Sequence, residues 1–236
     1  MLEKFKDIVD TDSLLNLALE SFPAKSGAAR IGLACSFSNE DIIIIDMLSR
    51  LKTKMGEEFK VFSLDTGRLN SETYEVAEEI SKKYQIKIEW YFPKREQVEE
   101  LINSKGLFSF KESLENRKEC CKIRKVEPLK RALSTVDAWI TGQRKEQSVT
   151  RAKLLLAEED KGNNIIKFNP LANWSASQVK DYMSKNNLPY NKLYDAGYQS
   201  IGCAPCTRAT EKGQDERAGR WWWENPEHKE CGLHLG

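Results

Sequence analysis

Apolar residues recur along the chain in two alternating rhythms. "ARIGLACSF" (29–37) is a short apolar run closing in small polar residues, the pattern of a buried strand. "EDIIIIDMLSRLKTK" (40–54) follows, with Ile44, Met47, Leu48 and Leu51 on one helical face. "FKVFSLDTG" (59–67) reads as the next strand, stopped by Asp-Thr-Gly. "SETYEVAEEISKKY" (71–84) predicts a helix with Ser71 as N-cap and Tyr74, Ala77, Ile80 and Tyr84 on its apolar face. "IKIEWYF" (86–92) alternates as a strand should, and "DAWITG" (137–142) and "IIKFNP" (165–170) add two more. "SASQVKDYMSKNN" (175–187) predicts a helix capped by Ser175.

Strand and helix in alternation predict an α/β fold, a mostly parallel sheet with helices on both faces. The expected organisation is an N-terminal helical segment over 1–28, a nucleotide-binding α/β domain over 29–200, and a cluster loop with a C-terminal segment over 201–236. Ligands in such sheets bind beyond the C-terminal strand ends. Chemistry is therefore sought in "SFSNED" (36–41), "LDTGR" (64–68) and "TGQRKEQS" (141–148). The first could hold an anion at a helix N-terminus or be a plain capping turn. It lacks the G-x-x-x-x-G-K-[ST] pattern of a P-loop. Arg68, Arg144 and Lys145 stand at successive strand ends, and their convergence on one rim suits an anionic nucleotide.

Composition narrows the class. At 236 residues, 40% hydrophobic and 31% charged, the chain can bury a substantial core and stay soluble. A net charge of +1 supplies no global field toward nucleic acid or membrane, and neither is expected as a partner. The first twenty residues carry charge throughout, as an amphipathic helix rather than a signal peptide, so a cytoplasmic location is expected.

Six cysteines stand at 35, 120, 121, 203, 206 and 231. Cys35, on a buried strand, reads as structural. Cys120–Cys121 and Cys203-x-x-Cys206 form two pairs. Four thiolates could hold one zinc ion or one iron–sulfur cluster, and "CAPC" alone could be a redox dithiol. Adjacent cysteines diverge too widely to share one small ion comfortably, which favours a [4Fe-4S] cluster. Residues 117–131 hold seven Lys/Arg against two Glu, an excess that would stabilise an anionic cluster.

The tail reads "DERAGRWWWENPEHKECGLHLG", with Cys231 six residues from the end and His234 three further on. With "LDTGRLNSETY", "CC" plus "CAPC", "TGQRKEQS", "GRWWWE" and "ECGLH", the chain from about residue 29 onward resembles the thioredoxin-dependent adenylylsulfate/phosphoadenylylsulfate reductases of sulfate assimilation.

The resemblance implies an adenine-nucleotide α-hydrolase-like fold and one [4Fe-4S] cluster on Cys120, Cys121, Cys203 and Cys206. It implies Cys231 as nucleophile, with His234 beside it as a catalytic residue. Substrate contacts are expected from Ser36, Phe37, Ser38, Asp65, Gly67, Arg68, Lys125, Arg144, Arg217 and Arg220. Trp221–Trp223 would anchor the tail by burial.

Members with both cysteine pairs resemble reductases of adenylylsulfate (APS). Members without them use its 3′-phosphorylated form (PAPS). APS is therefore the expected substrate and thioredoxin the expected electron donor, in the route to cysteine, with PAPS or dual use as the alternative. Competing readings are a pyrophosphatase-loop tRNA thiolase, a zinc protein with no catalytic role, and a stand-alone dithiol oxidoreductase. The sequence leaves a homo-oligomer open.

Overall fold

The computed structural model describes residues 2–55, 59–211, 213–225 and 232–233. Six strands form one sheet: β1 (Ile31–Ala34), β2 (Lys60–Leu64), β3 (Ile88–Tyr91), β4 (Ala138–Ile140), β5 (Ala157–Asp160) and β6 (Ile165–Phe168). Their spatial order is β3-β2-β1-β4-β6-β5. All neighbours pair in parallel except β5, which closes one edge antiparallel to β6. The five parallel strands are those the apolar runs predict, each trimmed at its ends. β5 was not foreseen: "AEED" has too little apolar content to signal a strand, and it forms by pairing with β6.

Among the described residues, seven α-helices cover the sheet: α1 (Thr11–Ser21), α2 (Asn39–Met55), α3 (Ser71–Tyr84), α4 (Arg95–Lys105), α5 (Leu114–Cys121), α6 (Glu127–Leu133) and α7 (Ala176–Lys185). The larger core lies where α1 and α2 meet the sheet. Leu14, Leu15, Ala18 and Leu19 of α1 are buried with Ile42 to Ile45 of α2, so α1 belongs to the main core. α2 is apolar around its circumference over that stretch because it is covered on every side. A second core on the other face joins Phe62 and Trp139 to Leu129 and Leu133 of α6.

Two capping expectations part company. Ser175 caps α7, accepting from Gln178 N, while the Gln178 side chain accepts from Ser175 N. At α3 the cap is Asn70, one residue earlier than predicted, and Ser71 is the first helical residue. The buried face of α3 is Thr73, Val76, Ala77 and Ile80. Tyr74 is 38% exposed, turned outward so that its hydroxyl donates to Asp65 Oδ2 at 2.9 Å. Among the described residues no helix is long and apolar enough to cross a membrane.

Candidate functional site

The order of strands switches sides between the parallel neighbours β1 and β4, the crevice where open α/β sheets bind ligands. A cavity of about 210 Å³ lies there, walled by the loop after β1, the ends of β2 and β4, and residues 199–220. The β1–α2 loop is held from within: Ser36 N and Oγ donate to Asp41 Oδ2 at 2.7 and 2.8 Å. Burial pushes the Asp41 carboxyl up to about 6, against the two bonds from Ser36. Ser36 and Ser38 face the cavity, but Phe37 does not. Its φ of 60° turns the loop, and its ring is buried against Trp90, centroids 5.7 Å apart. Phe37 is thus a core side chain rather than a cavity contact. At the end of β4, a side chain on Gly142 would strike the Asp41 carboxylate and the Glu40 Cβ, so β4 and α2 meet this closely only through glycine.

Asp65 and Gly67 shape the next loop rather than line the cavity. Asp65 Oδ1 accepts from Gly67 N at 2.7 Å and Oδ2 from Tyr74. The loop is tied to the second cysteine pair: Arg68 O accepts from Ala204 N at 2.8 Å, and Thr66 Oγ1 lies 3.2 Å from Cys203 Sγ. Arg68 does not line the larger cavity. Its guanidinium donates to Leu107 O at 2.7 Å and lies 5.1 Å from the Phe110 ring, beside the cysteines.

Ser113 caps α5 by accepting from Asn116 N, and the helix ends on Cys120 and Cys121. It continues as one π-turn, Lys122–Val126, in which Glu127 N donates to Lys122 O. Such an inserted residue reorients the side chains that follow it, and these turns concentrate at functional sites. Here Arg124 and Lys125 are buried. All four paired cysteines line one small void with Arg68, Arg124, Lys125 and Trp221.

Burial pushes the Cys206 thiol up to about 11, with nearby Cys203 adding to it, and burial also raises Cys120. Cys203 is the exception. Burial is again its largest influence, but Lys125, the Thr66 hydroxyl, Arg220 and Arg124 together hold it below the usual thiol value. Among the described residues no three His, Cys, Asp or Glu side chains converge on a single-ion position. Four soft donors around one void, with four cations beside them, are a donor set that fits a thiolate-bound cluster.

Lys125 and Cys203 stand in the walls of both cavities. Arg217 and Arg220 are buried in the wall of the larger one. The Arg220 guanidinium passes so close to Gly202 that a Cβ there would lie 2.6 Å from its Nη2. Arg144 stands apart from this group. It is absent from the cavity wall and 2% exposed, and its guanidinium is taken by Glu40 at 2.7 Å and Glu216 at 2.9 Å. The two carboxylates lie 104 and 72 positions away in sequence, so no local pattern signals the pairing.

"GRWWWE" closes the site. Trp221 is fully buried between guanidiniums, 4.6 Å from Arg117 and 4.7 Å from Arg220. Arg117 also grips Glu224 through two bonds of 2.9 Å. Trp222 and Trp223 are half-buried, so burial as an anchor falls chiefly to Trp221. Cys231 and His234 lie outside the described residues. Leu233, two residues past Cys231, lines the cavity and packs on the second core. Sequence reasoning missed Leu233, Thr66, Arg124 and Glu216. Thr66 and Leu233 sat inside quoted motifs, but nothing in their residue types signalled a contact.

The class is thus a doubly wound α/β protein whose switch-point cavity, lined in part by cations, shares Cys203 and Lys125 with a void walled by four thiols. Residues 30–209 match the family model described as the phosphoadenosine phosphosulfate reductase domain, and the chain belongs to that family. It is 44% identical over 238 residues to an adenosine 5′-phosphosulfate reductase of Allochromatium vinosum, covering 99% of this chain and 91% of that protein. A Neisseria meningitidis serogroup B protein of the same name is 48% identical over 202 residues, 85% of this chain and 80% of that protein. Among solved structures, phosphoadenylyl-sulfate (PAPS) reductase from Candida auris in a phosphate complex superposes with a TM-score of 0.70 at 31% identity. The match covers 86% of this chain and 93% of that one.

Proposed function

We propose that this chain reduces APS to sulfite and AMP in assimilatory sulfate reduction. The observation that carries the reading is near-full-length similarity to proteins named for APS reduction. The cavity supports it, because cations gather at one end and the chain segment next to Cys231 enters its wall at Leu233.

In this reading the Cys231 thiolate attacks the sulfate sulfur. An S–S bond forms, the bond from sulfur to the phosphate oxygen breaks, and AMP leaves. A thioredoxin thiolate then attacks the Cys231 sulfur. Sulfite departs with the electron pair of the broken S–S bond, and a mixed disulfide is left. The second thioredoxin thiol resolves it, returning Cys231 as a thiol and thioredoxin as a disulfide. The two electrons that reduce the sulfate sulfur thus come from thioredoxin.

An ordinary thiol with a pKa of about 8.5 is roughly 3% ionised at pH 7, so nearby cations assist the attack. Both partners in that attack are anionic. Lys125, Arg217 and Arg220 offset their repulsion, and His234 is assigned the same task from the tail. Ser36 and Ser38 hold the nucleotide at the β1–α2 loop. Arg144 supports the wall from behind, and Asp65, Gly67 and Arg68 fix the loop on which Cys203 rests.

Cys120, Cys121, Cys203 and Cys206 would hold a [4Fe-4S] cluster. When bound, it supplies local charge and cross-links α5 to the 203–206 turn. Thioredoxin's electrons never need to pass through it.

The test is sulfite release from APS with thioredoxin, under exclusion of oxygen, for the native chain and Cys231→Ser. Sulfite from the first and none from the second is expected. No sulfite from a natively folded, iron-loaded chain would refute the proposal.

A further inference from the structure

The larger cavity has two chemically opposite poles. At one, Lys125, Arg217 and Arg220 stand in the wall with Cys203. At the other, Glu40, Asp41 and Glu216 act together on the buried Tyr194 hydroxyl and raise its pKa, burial being the larger cause. Lys125, Arg220, Glu40, Asp41 and Glu216 all line the one cavity.

Two cations lie near the acidic pole, and each donates to side chains of the wall itself. The Arg144 guanidinium is spent on Glu40, Glu216 and Trp174 O. Arg151 donates to Gln147 Oε1 at 2.6 Å. A further acceptor points the same way. Gln143 is 5% exposed and lines the cavity, yet its Oε1 has no hydrogen-bond partner among the described residues. A buried acceptor without a donor costs about 1–3 kcal/mol and marks a place where a ligand's donor belongs.

We infer that Glu216, with Glu40 and the Gln143 carbonyl, forms an acceptor-rich pole that receives the ribose hydroxyls of the nucleotide and turns away a 3′-phosphate, so that Glu216 is a specificity-determining residue for APS over PAPS. The inference rests on the nucleotide reading above. Carboxylates pair with ribose hydroxyls because a hydroxyl can donate, whereas sites that take a ribose phosphate place an arginine there instead. A 3′-phosphate carries acceptors only. It would meet carboxylates and an amide oxygen in a low-dielectric wall, a repulsion that discriminates without weakening the accepted ligand. The sulfate, by contrast, is drawn to the cationic pole, near the segment that bears Cys231.

The probes are AMP and adenosine 3′,5′-bisphosphate, titrated calorimetrically into the cluster-loaded native chain, Glu216→Gln and Glu216→Asp. The native chain is expected to bind AMP about tenfold or more tighter than the bisphosphate. Glu216→Gln, which keeps the hydrogen bond to Arg144 but loses the charge, should narrow that ratio by about threefold or more, chiefly by improving bisphosphate binding. Glu216→Asp, which keeps the charge, should preserve the preference. A purely structural role for Glu216 would weaken both ligands equally and leave the ratio unchanged. That result, or equal binding of the two probes by the native chain, would overturn the inference. If neither nucleotide binds, the nucleotide reading falls and takes the inference with it.

Discussion

The two walls of the cavity are built by different means. One is sheet: the ends of β1, β2 and β4, locked by parallel pairing and by the close approach of Gly142 to α2. The other, the described residues of 199–224, is irregular, with a single turn of 3-10 helix at Ala204–Cys206, several bare turns and one bridge between Thr207 and Arg220. Side chains hold it: Trp221 between two guanidiniums, Glu224 on Arg117, and the cysteines against α5. The sheet wall needs only its own sequence to form. The irregular wall is held by charge and by the four-cysteine void, so the two should fail separately.

The largest separation should come from Trp221→Ala. Removing a fully buried tryptophan costs about 3–5 kcal/mol. Hydrogen exchange should show the loss concentrated in residues 199–224, while the amides of β1 and β4 stay protected. Uniform loss across both walls would break the distinction.

Lys125→Ala comes next, since it removes a cation shared by both cavities. Loss of one such electrostatic group costs about 10²–10³ in kcat. Iron content, measured alongside, should persist because the four thiols are untouched. Loss of iron in step with activity would assign Lys125 to the cluster alone.

Asp41 tests the sheet wall by pH. Its folded-state value is raised to about 6 from an ordinary 3.8, so its contribution is fully present below about 3.8 and is lost as pH rises through about 6. Asp41→Asn should therefore gain stability relative to the native chain between pH 4 and pH 8, by an amount on the order of 2 kcal/mol. Urea midpoints at the two pH values measure this, and a constant difference would count against the buried charge.

The smallest effect is expected at Arg95, whose partners Glu96 and Glu99 are largely exposed with it. Arg95→Ala should change stability by under about 0.5 kcal/mol in thermal melts and leave both walls intact.

The same division governs how much could be read from sequence. The sheet wall was legible because strand and helix periods are local: the apolar runs located the five parallel strands, α2, α3 and α7. β5 escaped because its partner rather than its composition makes it a strand. In the irregular wall the cysteines and Trp221 were legible as types and spacings. Their neighbours were not, because Arg144–Glu216 and Thr66–Cys203 join residues 72 and 137 positions apart. Phe37 and Arg68 show the same limit. Both lie in loops that shape the site, yet one side chain turns into the core and the other toward the cysteines.

The most direct test of the account is a single turnover without thioredoxin. The cluster-loaded chain is mixed with APS labelled with radioactive sulfur, quenched, digested and mapped. The account predicts label on the Cys231 peptide, approaching one per chain and released as sulfite when thioredoxin is added. Label on Cys203 or Cys206, or none on any cysteine while AMP still forms, would contradict it.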